Sequence, residues 1–399
     1  MTTLELKDRA AVCGVGHSVY GRKLNRSAID LAADAIGGAA EDAGLAPADI
    51  DGLIVSMGTP YGADADTLAQ VLGLELKMYS QTWAHGRFAA TCIQQAAMVV
   101  AAGMANVVAC MASLSATGVR PGLSTQRRRR SGGRGPDREA AREGGGGHGQ
   151  DPVYGIDAPD PGAAMATQAY FERYGATSRD LASVAVSFRR HASLNPAAVR
   201  RDPITVEDHQ ASRLMAAPLR LLDYPQLVDG AACVLVVRAD HARNLRKPPV
   251  LISGMQPLPA GRDEFIWTYP GFGVAQQARR PYEAGTQPVY RMADMDRSAI
   301  DALFTYDGFS FLVWMALERW GFCNPGEAPG FTRDGRIEFD GALPMNTSGG
   351  SLSEAHLMGW NQQVEIVRQL RGECGDRQVS GAEVIQWANA YGDSLIYRR

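Results

Sequence analysis

The sequence predicts an α/β layered fold with a largely parallel sheet, and three observations carry that expectation. Short β-rich apolar runs alternate with helix-length amphipathic segments along the chain. One unit recurs: Ile50, Asp51 and Leu53 of ADIDGLIVS (48–56) match Ile300, Asp301 and Leu303 of RSAIDALFTY (297–306) at an offset of 250. The composition, 45% hydrophobic and 21% charged over 399 residues, is that of a folded globular chain.

Each element can be justified in turn. AAVCGVG, starting at Ala10, is a glycine-ended apolar run and reads as a buried strand. Ser27 with Asp30 three residues on is a capping box, opening a helix through Leu31, Ile36 and Ala40 that stops at Gly44. DIDGLIVSMG (49–58) is the next strand. An Ala-rich helix over 86–103 ends at Gly103, and NVVACMA (106–112) follows as a strand. Residues 121–162 break the pattern with RRRR (127–130) and GGGGHG (144–149), and read as a flexible surface insertion. The arginine run either grips a phosphate or acidic partner or is a solvated charged loop, balanced in part by Asp137, Glu139 and Glu143. Helices resume over 163–174 and 178–190, the second opened by a capping box of Thr177 and Asp180. DGAACVLVV (229–237) closes a first half, 1–245, and KPPVLISGMQ (247–256) opens a second, 246–399. A helix over 355–372 ending at Gly372 is the counterpart of 86–103. Two like halves imply a pseudo-two-fold axis, with helix N-termini converging near the centre to favour an anion or enolate.

Bulk properties narrow the function classes. A formal net charge of −3 gives no electrostatic case for nucleic acid or a membrane surface. No apolar run reaches the roughly 18 residues of a spanning helix, and MTTLELKDRAAV has no signal core, so a cytoplasmic protein is expected. Cys13, Cys92, Cys110, Cys233, Cys323 and Cys374 are scattered without a CxxC pair, so neither a metal site nor a disulfide framework is expected.

The segment LPMNTSGGSLSEAHLMG (343–359) carries the most chemistry. Asn346, Gly349 and Gly350 lie in a turn-rich loop where glycines permit close backbone approach to a ligand. His356 follows at a helix entrance, where an imidazole can act as acid, base or oxyanion donor or can cap locally. This loop resembles the C-terminal active-site loop of thiolases, in which Asn-x-x-Gly-Gly precedes a catalytic Gly-His-Pro. Here Ala355 and Leu357 flank the histidine. TYDGFSF (305–311) resembles the thiolase Asn-Glu-Ala-Phe motif, with Tyr306 in the position of the asparagine. DGAAC (229–233), RHASLNPAA (190–198) and GFCNPGE (321–327) are typical of the sterol-carrier-protein branch. The resemblance covers nearly the whole chain apart from the insertion. It implies the thiolase fold: two βαβαβαββ halves in five αβαβα layers.

The chain departs from thiolases at the nucleophile. Counting the family's usual helix length back from Gly103 lands on Gly86 in HGRFAAT (85–91), and no cysteine lies between residues 80 and 91. Cys92 falls inside the helix, where nothing stabilises a thiolate. The second family cysteine, due around WANAYG (387–392), is missing as well. What remains suits an aldolase: a base takes a β-hydroxyl proton, the Cα–Cβ bond breaks and a thioester enolate leaves into an oxyanion hole. The resemblance is to the cysteine-free steroid side-chain aldolases. It makes Tyr306 and His356 catalytic, with histidine where those enzymes have a second tyrosine. Flanking the vacated position, His85 is either a second acid/base or a helix cap, and Arg87 either an anchor for carboxylate or phosphate or a local ion pair. Gly86, Arg87, Asn346, Gly349 and Gly350 are the expected substrate and oxyanion contacts. No cofactor is expected beyond the acyl-CoA or carrier thioester. The resemblance also implies a homodimer and a small OB-fold, zinc-ribbon partner, together a heterotetramer. An acyltransferase of secondary metabolism and a non-catalytic lipid-binding scaffold are the alternatives.

Overall fold

A computed structural model describes residues 6–56, 62–82, 89–115, 159–258 and 287–399. The strands are β1 (Ala10–His17), β2 (Gly52–Ser56), β3 (Met78–Thr82), β4 (Val107–Leu114), β5 (Leu214–Ala216), β6 (Leu219–Arg220), β7 (Gly230–Arg238), β8 (Val250–Gln256), β9 (Ala302–Phe304), β10 (Val384–Ala388) and β11 (Ser394–Arg398). The helices that matter here are α1 (Ala28–Ala43), α2 (Ala65–Leu72), α3 (Ala89–Ala101), α4 (Pro159–Tyr174), α5 (Ser178–Ser193), α6 (Pro288–Ala293), α7 (Ser310–Arg319), α8 (Gly350–Ser353) and α9 (Trp360–Arg371).

β5 and β6 form a small hairpin. The other strands run in the order β3-β2-β4-β7-β1-β8-β11-β10-β9. Read outward from the β1–β8 junction, the two arms repeat. β7 and β11 lie antiparallel to their neighbours, while β2–β4 and β9–β10 are parallel. Even β3, at the outer end of one arm, has an echo: Met345 bridges Leu303 of β9 in parallel. The repeat reaches individual hydrogen bonds. Asp51 accepts from the amides of Asn106 and Val107 at 2.8 and 2.9 Å, and Asp301 accepts from those of Glu383 and Val384 at 2.8 and 2.9 Å. The matched aspartates therefore fix the start of the matched strands β4 and β10.

The sheet is mixed, not largely parallel. Alternation of strands and helices reveals the crossovers but hides the strand that closes each half. β10 and β11 are joined by the short turn 389–393, which only an antiparallel pair allows. The capping boxes at Ser27 and Thr177 both form, and Gly44 ends α1 in the left-handed conformation at φ 73°. Residues 159–162 of the stretch read as an insertion already belong to α4; its arginine and glycine runs lie outside the described residues.

Five layers result. α1 covers one face of the first arm, burying Leu31, Ile36 and Ala39 against Leu53, Val107, Ala109 and Met111, the outward set of a period-2 pattern. The alternate set, Ile54, Val108 and Cys110, faces a larger core with Ile93, Ala96 and Val100 of α3. α3 and α9 lie between the arms and touch strands of both, while α6 covers β8 and β11 on the far side. The central helices therefore bring residues of the two halves to one place.

Candidate active site

Tyr306 follows the C-terminal end of β9, the edge of a parallel strand pair where ligands are commonly held. His356 lies between α8 and α9. Fifty residues apart in sequence, they meet: Tyr306 Oη lies 3.0 Å from His356 Nε2, and the rings are nearly parallel, 6.0 Å between centroids. Either atom can donate, depending on the imidazole tautomer. Tyr306 is buried, and burial followed by the charge of Asp307 pushes its phenol well above the usual range. The His356 ring is half-buried and its Nδ1 is shielded, with no hydrogen-bond partner among the described residues. Desolvation lowers His356 to about 4. At neutral pH the pair is therefore a neutral phenol against a neutral imidazole, suited to passing one proton along a short hydrogen bond.

The surrounding side chains fix these two. Gly308 lies beneath the tyrosine: a Cβ there would fall 2.5 Å from Tyr306 Cζ and Oη. Tyr391, from the β10–β11 turn, stacks on Tyr306 with centroids 6.4 Å apart. The Asn346 side chain clamps the backbone before Tyr306, its Oδ1 accepting from Thr305 N at 2.9 Å and its Nδ2 donating to Thr305 O at 3.0 Å. Asn346 thus acts on the tyrosine segment rather than presenting its amide to open space. The close approaches predicted at Gly349 and Gly350 exist, but the protein itself fills them. At Gly349 (φ 100°) a Cβ would lie 2.5 Å from Ala192 Cβ of α5, and at Gly350 (φ 60°) it would overlap the Asp307 carboxylate. Both glycines therefore have a packing role. His85, Gly86 and Arg87 lie outside the described residues.

Several supporting residues were not anticipated. Asp307 Oδ1 accepts from Ser351 N at 2.8 Å and Gln362 Nε2 at 2.7 Å, and its Oδ2 from Leu352 N at 3.1 Å. Asn195 donates to Ser348 O at 3.0 Å and Glu354 Oε1 at 3.1 Å, while His191 Nδ1 lies 3.4 Å from Asn346 O. Glu354 is buried between Ser348, Asn361 and Asn195, and burial raises it to about 7. RHASLNPAA, read only as a family mark, therefore holds the histidine loop from the side. A polar residue next to an apolar strand is the available signal for Asp307, and it is weak without knowledge of burial.

All six cysteines are free. Five are buried and Cys323 is half-buried. Burial pushes Cys92 and Cys13 up to about 12 and raises the other four further, so no reactive thiolate is present.

Residues 276–394 match the thiolase C-terminal domain-like family. The steroid side-chain-cleaving aldolase of Thermomonospora curvata is 38% identical over 375 residues, covering 92% of this chain and 91% of that protein. The 17-hydroxy-3-oxo-4-pregnene-20-carboxyl-CoA lyase of Mycobacterium tuberculosis is 36% identical over 376 residues, covering 92% of each. Among solved structures, an Ltp2-ChsH2(DUF35) aldolase superposes with a TM-score of 0.83 at 35% identity over 98% of both chains. Human mitochondrial 3-ketoacyl-CoA thiolase, at 15% identity and a TM-score of 0.66, shares the fold.

Proposed function

Because the chain belongs to the thiolase superfamily, in the branch of the steroid side-chain aldolases, we propose that it is a carbon–carbon lyase acting on a β-hydroxyacyl thioester by retro-aldol chemistry. No acyl-cysteine forms. The observation that carries the reading is the 3.0 Å pair of Tyr306 and His356 in a chain whose thiols are all held protonated.

The protons and electrons balance within the pair. Tyr306 Oη takes the β-hydroxyl proton as its own proton passes to His356 Nε2. The new C–O π bond forms at Cβ, the Cα–Cβ pair becomes the thioester enolate, and a proton returns from the pair to Cα. Proton transfer of this kind contributes about 10²- to 10⁴-fold, and N–H donors on the enolate oxygen add about 10²- to 10³-fold. We assign the oxyanion contact to Gly86, three residues before the first residue of α3 in the sequence. Arg87 anchors a carboxylate or phosphate, and His85 is a second acid/base. No resident cofactor enters these steps.

The relatives' names support a CoA thioester with a bulky, steroid-like acyl chain as substrate. The solved relative named with a DUF35 protein supports a small OB-fold, zinc-ribbon partner here, in a heterotetramer. The edge strand β3, bonded among the described residues to β2 alone and bearing exposed Tyr79, supports a homodimer at its centre. The cytoplasm is the proposed compartment, supported by six unpaired cysteines. Among the described residues no helix is long and apolar enough to cross a membrane.

The test is direct. The chain, alone and with a DUF35-type partner, is incubated with a β-hydroxyacyl-CoA carrying a ring system, and ketone and acyl-CoA are quantified. Cleavage that disappears in Tyr306→Phe and in His356→Ala is expected; wild-type rates in both variants contradict the assignment.

A further inference from the structure

Building on the aldolase reading, we propose that Asp307 is a positioning residue that couples Tyr306 to His356. One peptide bond separates it from Tyr306, and its carboxylate reaches across to both elements that flank the histidine. Ser351 and Leu352 are in α8, which leads directly to His356; Gln362 is in α9, which follows it. The side chain is fully buried, and the absence of a Cβ at Gly350 is what lets the carboxylate approach α8 so closely. The alignment of the phenol with the imidazole is thus held by a splint as well as by their own hydrogen bond.

The splint also carries charge. Its donors are backbone amides, the Gln362 carboxamide and the Ser351 hydroxyl, none of them cationic. The titratable groups around it are Tyr306 on its own segment, His356 beyond α8 and, stacked on Tyr306, Tyr391. An ionised carboxylate here opposes a phenolate at Tyr306 and keeps it in the protonated form that can donate. Burial lifts Asp307 to about 6, so it is mostly ionised at neutral pH.

Asp307→Asn tests this. The new amide N–H faces a donor, so the splint fails on one side while volume is kept. The expected result is a fall in kcat of about 100-fold, the scale of an ångström-sized misplacement, with KM within about 2-fold. A second readout needs no substrate. Fluorotyrosine at position 306 brings the phenol into a measurable range by fluorine NMR, and Asp307→Asn lowers its pKa by about one unit. An unchanged kcat overturns the proposal. So does a loss that merely follows unfolding, with KM and melting moving together and the fluorophenol pKa unmoved. If Asp307→Asn does not fold, Gln362→Met removes one donor to the carboxylate, and kcat must fall about 3- to 10-fold at unchanged KM. Because the fluorine titration is independent of turnover, a chain that cleaves no β-hydroxyacyl thioester sinks the aldolase reading alone.

Discussion

Replacing Gly308 with alanine adds one methyl group and alters neither Tyr306 nor His356, yet the structure places that methyl 2.5 Å from Cζ and Oη of Tyr306. Ordinary carbon contacts need about 3.5 Å, so the ring must retreat by about 1 Å. The hydrogen bond to His356 starts at 3.0 Å and has little room to stretch before it is lost. A misplacement of that size costs about 100-fold in rate, whereas overpacking at one residue costs about 1–3 kcal/mol in stability. Steady-state cleavage of a β-hydroxyacyl-CoA gives kcat, and a denaturant melt gives stability. The expected Gly308→Ala enzyme is folded and slow. In a Tyr306→Leu background the clash vanishes, so the stability cost of Gly308→Ala shrinks. Full activity in Gly308→Ala, or an unchanged stability cost in the Tyr306→Leu background, refutes the geometry.

Other outcomes follow from the same site. Tyr306→Phe loses about 10²- to 10⁴-fold in kcat and only about 1 kcal/mol of stability, the worth of one hydrogen bond. With His356 as the proposed proton acceptor, lowered to about 4, the acid limb of kcat is expected near that value instead of near the ordinary histidine value of about 6.5. The linkage has the same direction: a folded-state pKa below the unfolded one makes this contribution full above about pH 6.5 and lost as pH falls towards 4. The ceiling is about 3 kcal/mol, lower for a partly exposed ring; denaturant melts of the chain and His356→Ala across this window check it. Cys92→Ala keeps full turnover, and iodoacetamide at mild alkaline pH leaves the enzyme active; inactivation by alkylation contradicts the acid–base account. Gly350→Ala strains a residue at φ 60° and drives a Cβ into Asp307, so both stability and kcat fall together.

Much of the fold was readable because local chemistry recurs. Ile50-Asp51 and Ile300-Asp301 match since each aspartate ties down the next strand. The capping boxes at Ser27 and Thr177 are short-range and act alone. The pairing of Tyr306 with His356 could not come from spacing; it came from likeness to thiolase motifs, because only the tertiary fold brings the segment after β9 beside the loop between α8 and α9. Close backbone approach at Gly349 and Gly350 was read correctly, but the neighbours that make it, α5 and Asp307, and the hold of Asn346 on Thr305 come from the tertiary fold. Asp307 escaped because an aspartate reads as surface until its burial is known. The mixed sheet escaped because hydrophobic runs carry no strand direction.

The central claim is carbon–carbon cleavage without a covalent acyl-enzyme. Single-turnover mixing with a ring-bearing β-hydroxyacyl-CoA, followed in parallel by product analysis and intact-protein mass spectrometry, tests it most directly. Ketone and acyl-CoA appearing together while the protein mass stays unchanged is the predicted result. An acyl adduct that forms and decays at the rate of turnover would contradict it.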